Sequence, residues 1–388
     1  MRVLFTTTPG RGHLHAMVPL ARAFVDRGDD VLWTTGASSC AWLERDGFAA
    51  TPAGLDEVDG KREFDRRFPE FGALAPPQRP DFMFSRLFGS VRAEPMLRDL
   101  EPVARAFAPD LIVRDATEFA GAIVGAALGV RTVTHSFGAL LPAARVASVD
   151  PELEHLWASH GLEPRPYGGS YDDVYLDIYP ASLQPPGDRS HVRATEPLRP
   201  ATSAIAGDDA LPAWLTGVSG DDQLPLVYVT LGTVFSDAGV LATVVEGLHD
   251  LRVRAVVTVG PHGDPAALGA QPPHVHVTRY IAQDALLPHC AVVVSHAGSG
   301  TFLASLAHGL PHLCVPQAAD QFLNAAACAA SGAGLALMPA DVSPAAVAAA
   351  VERLLDDRAF RDAAAVVASD IATMPAPDVV AERLARAQ

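Results

Sequence analysis

The run Val292-Val293-Val294-Ser295-His296-Ala297-Gly298-Ser299-Gly300-Thr301-Phe302, followed nineteen residues after Thr301 by Asp320, Gln321 and then Asn324, decides the fold of the second half of the chain. It reads as a buried strand that empties into a glycine-rich turn and opens a helix. Unpaired backbone N–H groups and the positive end of a helix dipole then converge on one spot, which suits an anion and best of all a diphosphate. His296 at the strand end can donate to a phosphate oxygen. Ser299 and Thr301 add hydroxyls among glycines that let backbone approach closely.

Two nucleotide-binding classes are disfavoured by what the run lacks. No Lys follows the glycines, so the phosphate loop of an ATP- or GTP-hydrolysing protein is not formed. A second glycine-rich turn, Gly10-Arg11-Gly12-His13, follows the first strand, but the next strand, Val31 to Thr35, ends in Thr and Gly where an NAD-binding fold needs an acidic residue for the ribose.

Working outward, the same grammar occurs twice. Val3 to Thr8 runs into glycine and then a helix whose Met17, Leu20, Ala21 and Phe24 fall at helical spacing. After residue 220 it restarts with Leu226 to Leu231, a helix around Leu241 to Leu248, the strand Ala255 to Val259 and the strand Val275 to Val277. Two βαβ systems imply two parallel sheets covered by helices. The Pro-, Gly- and Asp-rich stretch from Tyr179 to Asp222 between them reads as a linker, with Pro212 to Leu215 as a short helix. The expected division is a first domain over 1–205, a linker over 206–222 and a second domain over 223–375, closed by a C-terminal segment over 376–388.

His296, Gly298, Ser299, Gly300 and Thr301, with Gly309, Pro311, Pro316, Asp320, Gln321, Asn324, Gly332 and Gly334, resemble the nucleotide-sugar signature of GT-B glycosyltransferases that act on small lipophilic acceptors. Gly10-Arg11-Gly12-His13 with Pro19-Leu20-Ala21 is similar to the amino-terminal acceptor-site motif of the actinobacterial antibiotic glycosyltransferases, the vancomycin-type and calicheamicin-type enzymes. The resemblance spans nearly the whole chain and implies an α/β GT-B fold of two Rossmann-like domains facing across a cleft. It also implies that the final helix, Asp378 to Ala387, packs back on the first domain.

A catalytic pair, His13 and Asp115, is expected at strand ends, where open α/β folds bind ligands. Histidine titrates near neutrality and suits a base for an acceptor hydroxyl, and Asp115 would orient it and stabilise the imidazolium. A histidine after a glycine turn also serves as a packing residue, and an aspartate at a strand end as the N-cap of the next helix, so both readings stand. The resemblance implies an inverting displacement with Thr233, His296, Gly298, Ser299, Gly300 and Thr301 on the donor diphosphate, and Asp320 and Gln321 on sugar hydroxyls. Tyr280, Ile281 and Gln283 would hold the base. Asp320 is equally read as the N-cap of the helix that follows.

Plant members carry Trp at position 280 and Glu at position 304, where this chain has Tyr280 and Ala304. That departure favours a TDP-sugar over a UDP-sugar donor. Phe64, Phe82, Phe84 and Phe137 are expected to line an apolar acceptor site, for which a lipophilic polyketide or aromatic aglycone is the matching chemistry. A catalytically inactive sugar-nucleotide-binding homologue is the alternative, and the presence of both His13 and Asp115 speaks against it.

Composition agrees. The chain has 388 residues, 49% of them hydrophobic, which is enough for two cores. A formal charge of −16 argues against nucleic acid and anionic membrane surfaces as partners. Cys40, Cys290, Cys314 and Cys328 have no paired or metal-like spacing and read as reduced thiols in a cytoplasmic protein. Neither a signal peptide nor a membrane span is expected, nor any cofactor beyond the sugar nucleotide. No Asp-x-Asp triplet occurs, so no metal site is expected. A monomer or a homodimer is expected.

Overall fold

In the computed structural model the chain forms two α/β units, and residues 1–74, 78–200, 211, 215, 224–232, 238–260 and 263–387 are described. The linker over 206–222 and Thr233 lie almost wholly or wholly outside the described residues. One unit comprises Met1–Tyr179, Pro186–Arg199 and Pro375–Gln388; the other comprises Pro180–Pro185 and Pro200–Met374.

The first unit holds a seven-stranded sheet in the order β3-β2-β1-β4-β5-β6-β7, all neighbours parallel. Its strands are β1 (Arg2–Thr6), β2 (Asp30–Thr35), β3 (Ala49–Pro52), β4 (Leu111–Asp115), β5 (Arg131–His135), β6 (Val174–Asp177) and β7 (Ala194–Pro197). The central strands are apolar without alternation because helices cover both faces, so Val3, Leu4, Phe5, Ile112 and Val113 are all fully buried. The helix Arg11–Asp26 buries Met17, Leu20, Ala21 and Phe24, the face its spacing predicts.

One expectation is corrected here. The Pro-rich stretch after Tyr179 is not all connection, since Ala194–Pro197 pairs in parallel with β6 as the edge of the first sheet. An edge strand tolerates the Pro and charge content that made it read as a loop.

The second unit holds a six-stranded sheet in the order β10-β9-β8-β11-β12-β13, again all parallel. These strands are β8 (Leu226–Thr230), β9 (Arg254–Thr258), β10 (Val275–Thr278), β11 (Val292–Ser295), β12 (His312–Cys314) and β13 (Gly334–Ala336). Its core is mostly valine and leucine, with Val227, Val229, Val257, Val292, Val294 and Leu313 buried beneath Val244, Val347 and Val351 of two covering helices.

The C-terminal stretch Arg358–Arg386 reaches a mean hydropathy of 1.2 over a span-length window, which inspection of runs of apolar residues alone misses. It breaks at Met374-Pro375-Ala376 into the helices Arg358–Thr373 and Pro377–Arg386. The second of these lies in the first unit, on the helix Arg11–Asp26. There the Leu384 carbonyl accepts from Arg131 at 3.3 Å, Arg383 pairs with Glu196, and the Arg199 amide donates to the Pro375 carbonyl at 2.8 Å.

Candidate active site

In both units the strand order reverses between the first and fourth strands of the sheet, β1/β4 in one and β8/β11 in the other. Connections there leave in opposite directions and open a crevice at the strands' carboxyl ends, the usual ligand position of open α/β sheets. The residues singled out from sequence divide between these two places.

In the first unit, Nδ1 of His13 lies 2.9 Å from Oδ2 of Asp115, which ends β4 and is 1% exposed. The same carboxylate oxygen accepts from the hydroxyls of Thr8 at 2.7 Å and Thr117 at 2.9 Å, and the Thr117 amide donates to Oδ1 at 3.2 Å. Burial alone would raise the Asp115 pKa. The charge and hydrogen bond of His13, with those from Thr8 and Thr117, outweigh it and hold the carboxyl well below the usual range. With the Nδ1 proton directed at Asp115, the lone pair of a neutral His13 sits on Nε2, the tautomer a base needs.

The capping alternative for Asp115 fails on geometry. The next helix is Ala120–Leu128, and its first amides, Ala120 and Gly121, donate to the buried Glu118 at 2.6 and 3.0 Å. Glu118 therefore does the capping, and Asp115 is left to His13.

The ring of His13 is flanked by Phe137, with centroids 4.7 Å apart, and by Phe88 at 6.3 Å. Phe84, only 5% exposed, packs on Phe88 and Phe119 and so stands one ring behind. Phe64 and Phe82 belong to a different cluster, packing edge-on with each other and against Phe68 and Phe71 in edge-on and tilted contacts. Of the four phenylalanines expected at an acceptor site, Phe137 alone lies directly against His13.

In the second unit, β11 ends in Ser295, and Ala297 takes a left-handed φ of 62° before the helix Ser299–Ala307 begins. The His296 ring is wedged between two glycines from the two central strand ends. A Cβ on Gly232 would come within 2.7 Å of it, and one on Gly298 within 2.4 Å. Burial lowers the His296 pKa to about 4, so the ring is a neutral donor at physiological pH. Among the described residues its Nδ1 is buried without a hydrogen-bond partner. Gly298, the N-cap, offers no side-chain acceptor to the helix amides, and a Cβ on Gly300 would meet nothing within 4 Å. The turn is open at Gly300.

Other expected donor-site side chains are engaged with one another. The Ser299 hydroxyl donates to Asp320 at 2.7 Å, and the buried Asn324 amide group donates to the Ala297 carbonyl at 2.8 Å and to Ser299 at 3.0 Å. These bonds fix the turn that carries the glycines. Asp320 stands at the N-cap of the helix Gln321–Ser331, as expected, but its carboxylate makes no cap bond and accepts from Ser299 and Asn324. Gln321, 3% exposed, accepts the Gln317 and Ala318 amides at 2.7 and 2.9 Å. Gln283 donates to Thr301 at 3.0 Å and to the Tyr228 hydroxyl at 3.3 Å. Ile281 is buried, whereas Tyr280 is half exposed just before the helix Gln283–Leu286.

Residues 242–386 match the family model of the erythromycin biosynthesis protein CIII-like C-terminal domain. Over 99% of its length the chain is 34% identical to the elloramycin glycosyltransferase ElmGT of Streptomyces olivaceus, of which it covers 97%. The chain belongs to the actinobacterial antibiotic glycosyltransferases. This glycosyltransferase is also 34% identical to the L-demethylnoviosyl transferase of Streptomyces niveus, with 100% of the chain and 98% of that protein covered. Among solved structures, the spinosyn rhamnosyltransferase SpnG complexed with thymidine diphosphate is similar, at 24% identity and a TM-score of 0.80, covering 99% of this chain and 100% of that one. The two parallel-sheet units of the glycosyltransferase are accordingly those of the GT-B architecture.

Sequence reading missed several residues that the structure gathers around His13. Thr8 and Thr117 hold Asp115, and a Thr-rich strand end was their only signal. Phe88, 6.3 Å from the His13 ring, is another, with no signal beyond its aromatic side chain. Among the described residues, no group of three or more His, Cys, Asp or Glu is placed to hold a metal ion.

Proposed function

We propose that this glycosyltransferase moves a deoxysugar from a TDP-sugar to a hydroxyl of a lipophilic natural-product acceptor, by direct inverting displacement and without a metal. The observation that carries the reading is the 2.9 Å pairing of His13 with a buried Asp115 that takes further hydrogen bonds from Thr8 and Thr117.

His13 Nε2 takes the proton of the acceptor hydroxyl as its oxygen attacks the anomeric carbon, and Asp115 stabilises the imidazolium that forms. The bond to the diphosphate breaks on the opposite face through an oxocarbenium-like state. Negative charge growing on the departing diphosphate is met by neutral His296, the amides at Gly298 to Thr301 and the positive end of the helix Ser299–Ala307. Preorganised dipoles there do what a bound cation does in other enzymes. Asp320 receives sugar hydroxyls while anchoring Ser299, and Tyr280 lies against the base. The TDP bound in the SpnG structure and the deoxysugar chemistry named for the relatives support the choice of donor.

The test is transfer from a TDP-deoxysugar to a panel of aromatic and polyketide aglycones in EDTA, with the anomeric configuration of donor and product read by NMR. Transfer with inversion that EDTA leaves intact is expected. Retention of configuration, or a requirement for added Mg²⁺ or Mn²⁺, would overturn the mechanism.

A further inference from the structure

We propose that His312 is a positioning residue for the sugar donor: acting through Ser295, it holds the Ala297 peptide in the conformation that aims the amides of Gly298 to Thr301 at the diphosphate. The inference rests on the donor reading of that turn. His312 lies in β12, which pairs in parallel with β11 so that Val293 faces His312 and Ser295 faces Cys314. Its side chain is fully buried, in a pair of strands whose other residues, Ser295 apart, are Val, Leu and Cys. An imidazole at such a place is costly unless it makes a hydrogen bond that an apolar residue could not. Its Nε2 stands 2.7 Å from Ser295 Oγ, whereas Nδ1 is buried with no hydrogen-bond partner among the described residues. The backbone amide of His312 donates to the Ala333 carbonyl at 3.1 Å, a bond that any residue but proline makes, so the Ser295 bond is the polar contact the imidazole itself adds.

Ser295 carries the constraint to the turn. Its Oγ also accepts the Ala297 amide at 2.9 Å. With one lone pair so used, the hydroxyl keeps its proton and a second lone pair for Nε2, and a neutral His312 of either tautomer completes the bond. Burial keeps the ring neutral, lowering its pKa to about 3. Tied to His312, the Ser295 side chain is fixed in the rotamer that meets the Ala297 N–H.

Ala297 needs that hold. Its φ of 62° is left-handed, a region that L residues other than Asn and Asp seldom adopt, and it immediately precedes Gly298, the N-cap of the helix Ser299–Ala307. Its N–H is fixed by Ser295 and its carbonyl by the Asn324 side chain at 2.8 Å, so the peptides on both sides are pinned. Release of either would let the turn relax toward ordinary φ and swing the amides that follow away from a common point.

Calorimetry of TDP binding tests this in the wild type, Ser295→Ala, His312→Leu, the double variant, His312→Gln and His312→Asn. A Gln amide reaches the position of Nε2, and the shorter Asn does not. Ser295→Ala and His312→Leu should each weaken TDP by about fivefold or more, and the double variant by no more than about twofold beyond Ser295→Ala, because residues that act as one unit are not additive. His312→Gln should stay within about twofold of the wild type. Losses that multiply in the double variant would assign the ring to packing against Phe302, with centroids 5.6 Å apart, and overturn the proposal, as would wild-type affinity in either single variant. If His312→Leu does not fold, the amide variants decide: His312→Asn should bind TDP more weakly than His312→Gln, and equal affinities overturn the proposal. A wild type that does not bind TDP overturns the donor reading itself, so the two failures are distinguishable.

Discussion

His13 Nδ1 stands 2.9 Å from Asp115 Oδ2, and that same oxygen is held by Thr8 after β1 and by Thr117 in the turn after β4. Replacing the base should therefore cost chemistry and not binding. His13→Ala is expected to lower kcat by about 10²–10⁴-fold while TDP binding by calorimetry is unchanged. Asp115→Asn should also lower kcat, since an amide can present its N–H to Nδ1 and favour the wrong tautomer. Retained wild-type kcat in His13→Ala would remove its role as base.

The two glycines that enclose His296 give a prediction with an internal control. Gly298→Ala places a methyl group 2.4 Å from the ring, so the turn must shift, and TDP affinity should fall tenfold or more. Gly300→Ala meets nothing within 4 Å and should fold and melt as the wild type does. The readout is the rise in melting temperature on adding TDP, which at about 100 times Kd corresponds to about 2.7 kcal/mol. Equal donor affinity in Gly298→Ala and wild type would mean that His296 is not held for the diphosphate.

Gln321 was expected on sugar hydroxyls, but its carbonyl oxygen is occupied by the Gln317 and Ala318 amides. Gln321→Ala strands those two donors and should destabilise the protein by about 1–3 kcal/mol in urea unfolding. A donor KM that rises with no loss of stability would instead place Gln321 on the sugar.

Acid sensitivity follows from four histidines, of which His135 and His312 are fully buried and His15 and His296 partly so. Burial lowers the pKa of His15, His135 and His296 to about 4 and that of His312 to about 3. Between those values and the ordinary 6.5, the unfolded chain binds protons that the folded chain does not, so stability rises with pH in this window. It should be fully present above about pH 6.5 and fall as pH drops toward 4, each histidine contributing up to about 1.4 kcal/mol per pH unit. Urea midpoints measured from pH 7.5 to 4.5 check this. A midpoint that stays flat over that range would mean the rings are not buried as neutral groups.

The acceptor side is tested by contrasting two rings. Phe137→Ala, which removes a ring 4.7 Å from His13, should raise acceptor KM and leave donor KM alone. Phe82→Ala loosens the separate four-ring cluster and should lower stability with little change in acceptor KM. The reverse pattern would move the acceptor to the Phe64 cluster.

What could be read from the residues was whatever depends on local order along the chain. The valine run of β11, the glycines after it and the spacing of Met17, Leu20, Ala21 and Phe24 each encode their own element, so both sheets and both strand-end sites were legible. His13 and Asp115 were legible for the same reason, because each ends or follows a strand. Partnership across the chain was not. That Thr8 reaches Asp115, that Gln321 turns inward and that Phe64 and Phe82 pack away from His13 are outcomes of tertiary packing between segments far apart in sequence. Ala194–Pro197 was missed because an edge strand has the composition of a loop.

The return of the last helix to the first unit carries a consequence for how the protein is made. The helix Pro377–Arg386, which covers the helix Arg11–Asp26, is synthesised about 350 residues after it. At typical synthesis rates of about 5–20 residues per second, the interval between the end of the first unit's main segment and its closing helix is on the order of 10–35 seconds. During that time Val380, Ala381 and Leu384, all buried in the finished protein, are not yet there to cover their side of the domain. Nascent chains paused before residue 375 should therefore be prime clients for chaperones, and the His13 domain should acquire its full resistance to proteolysis only once Pro377–Arg386 has been made.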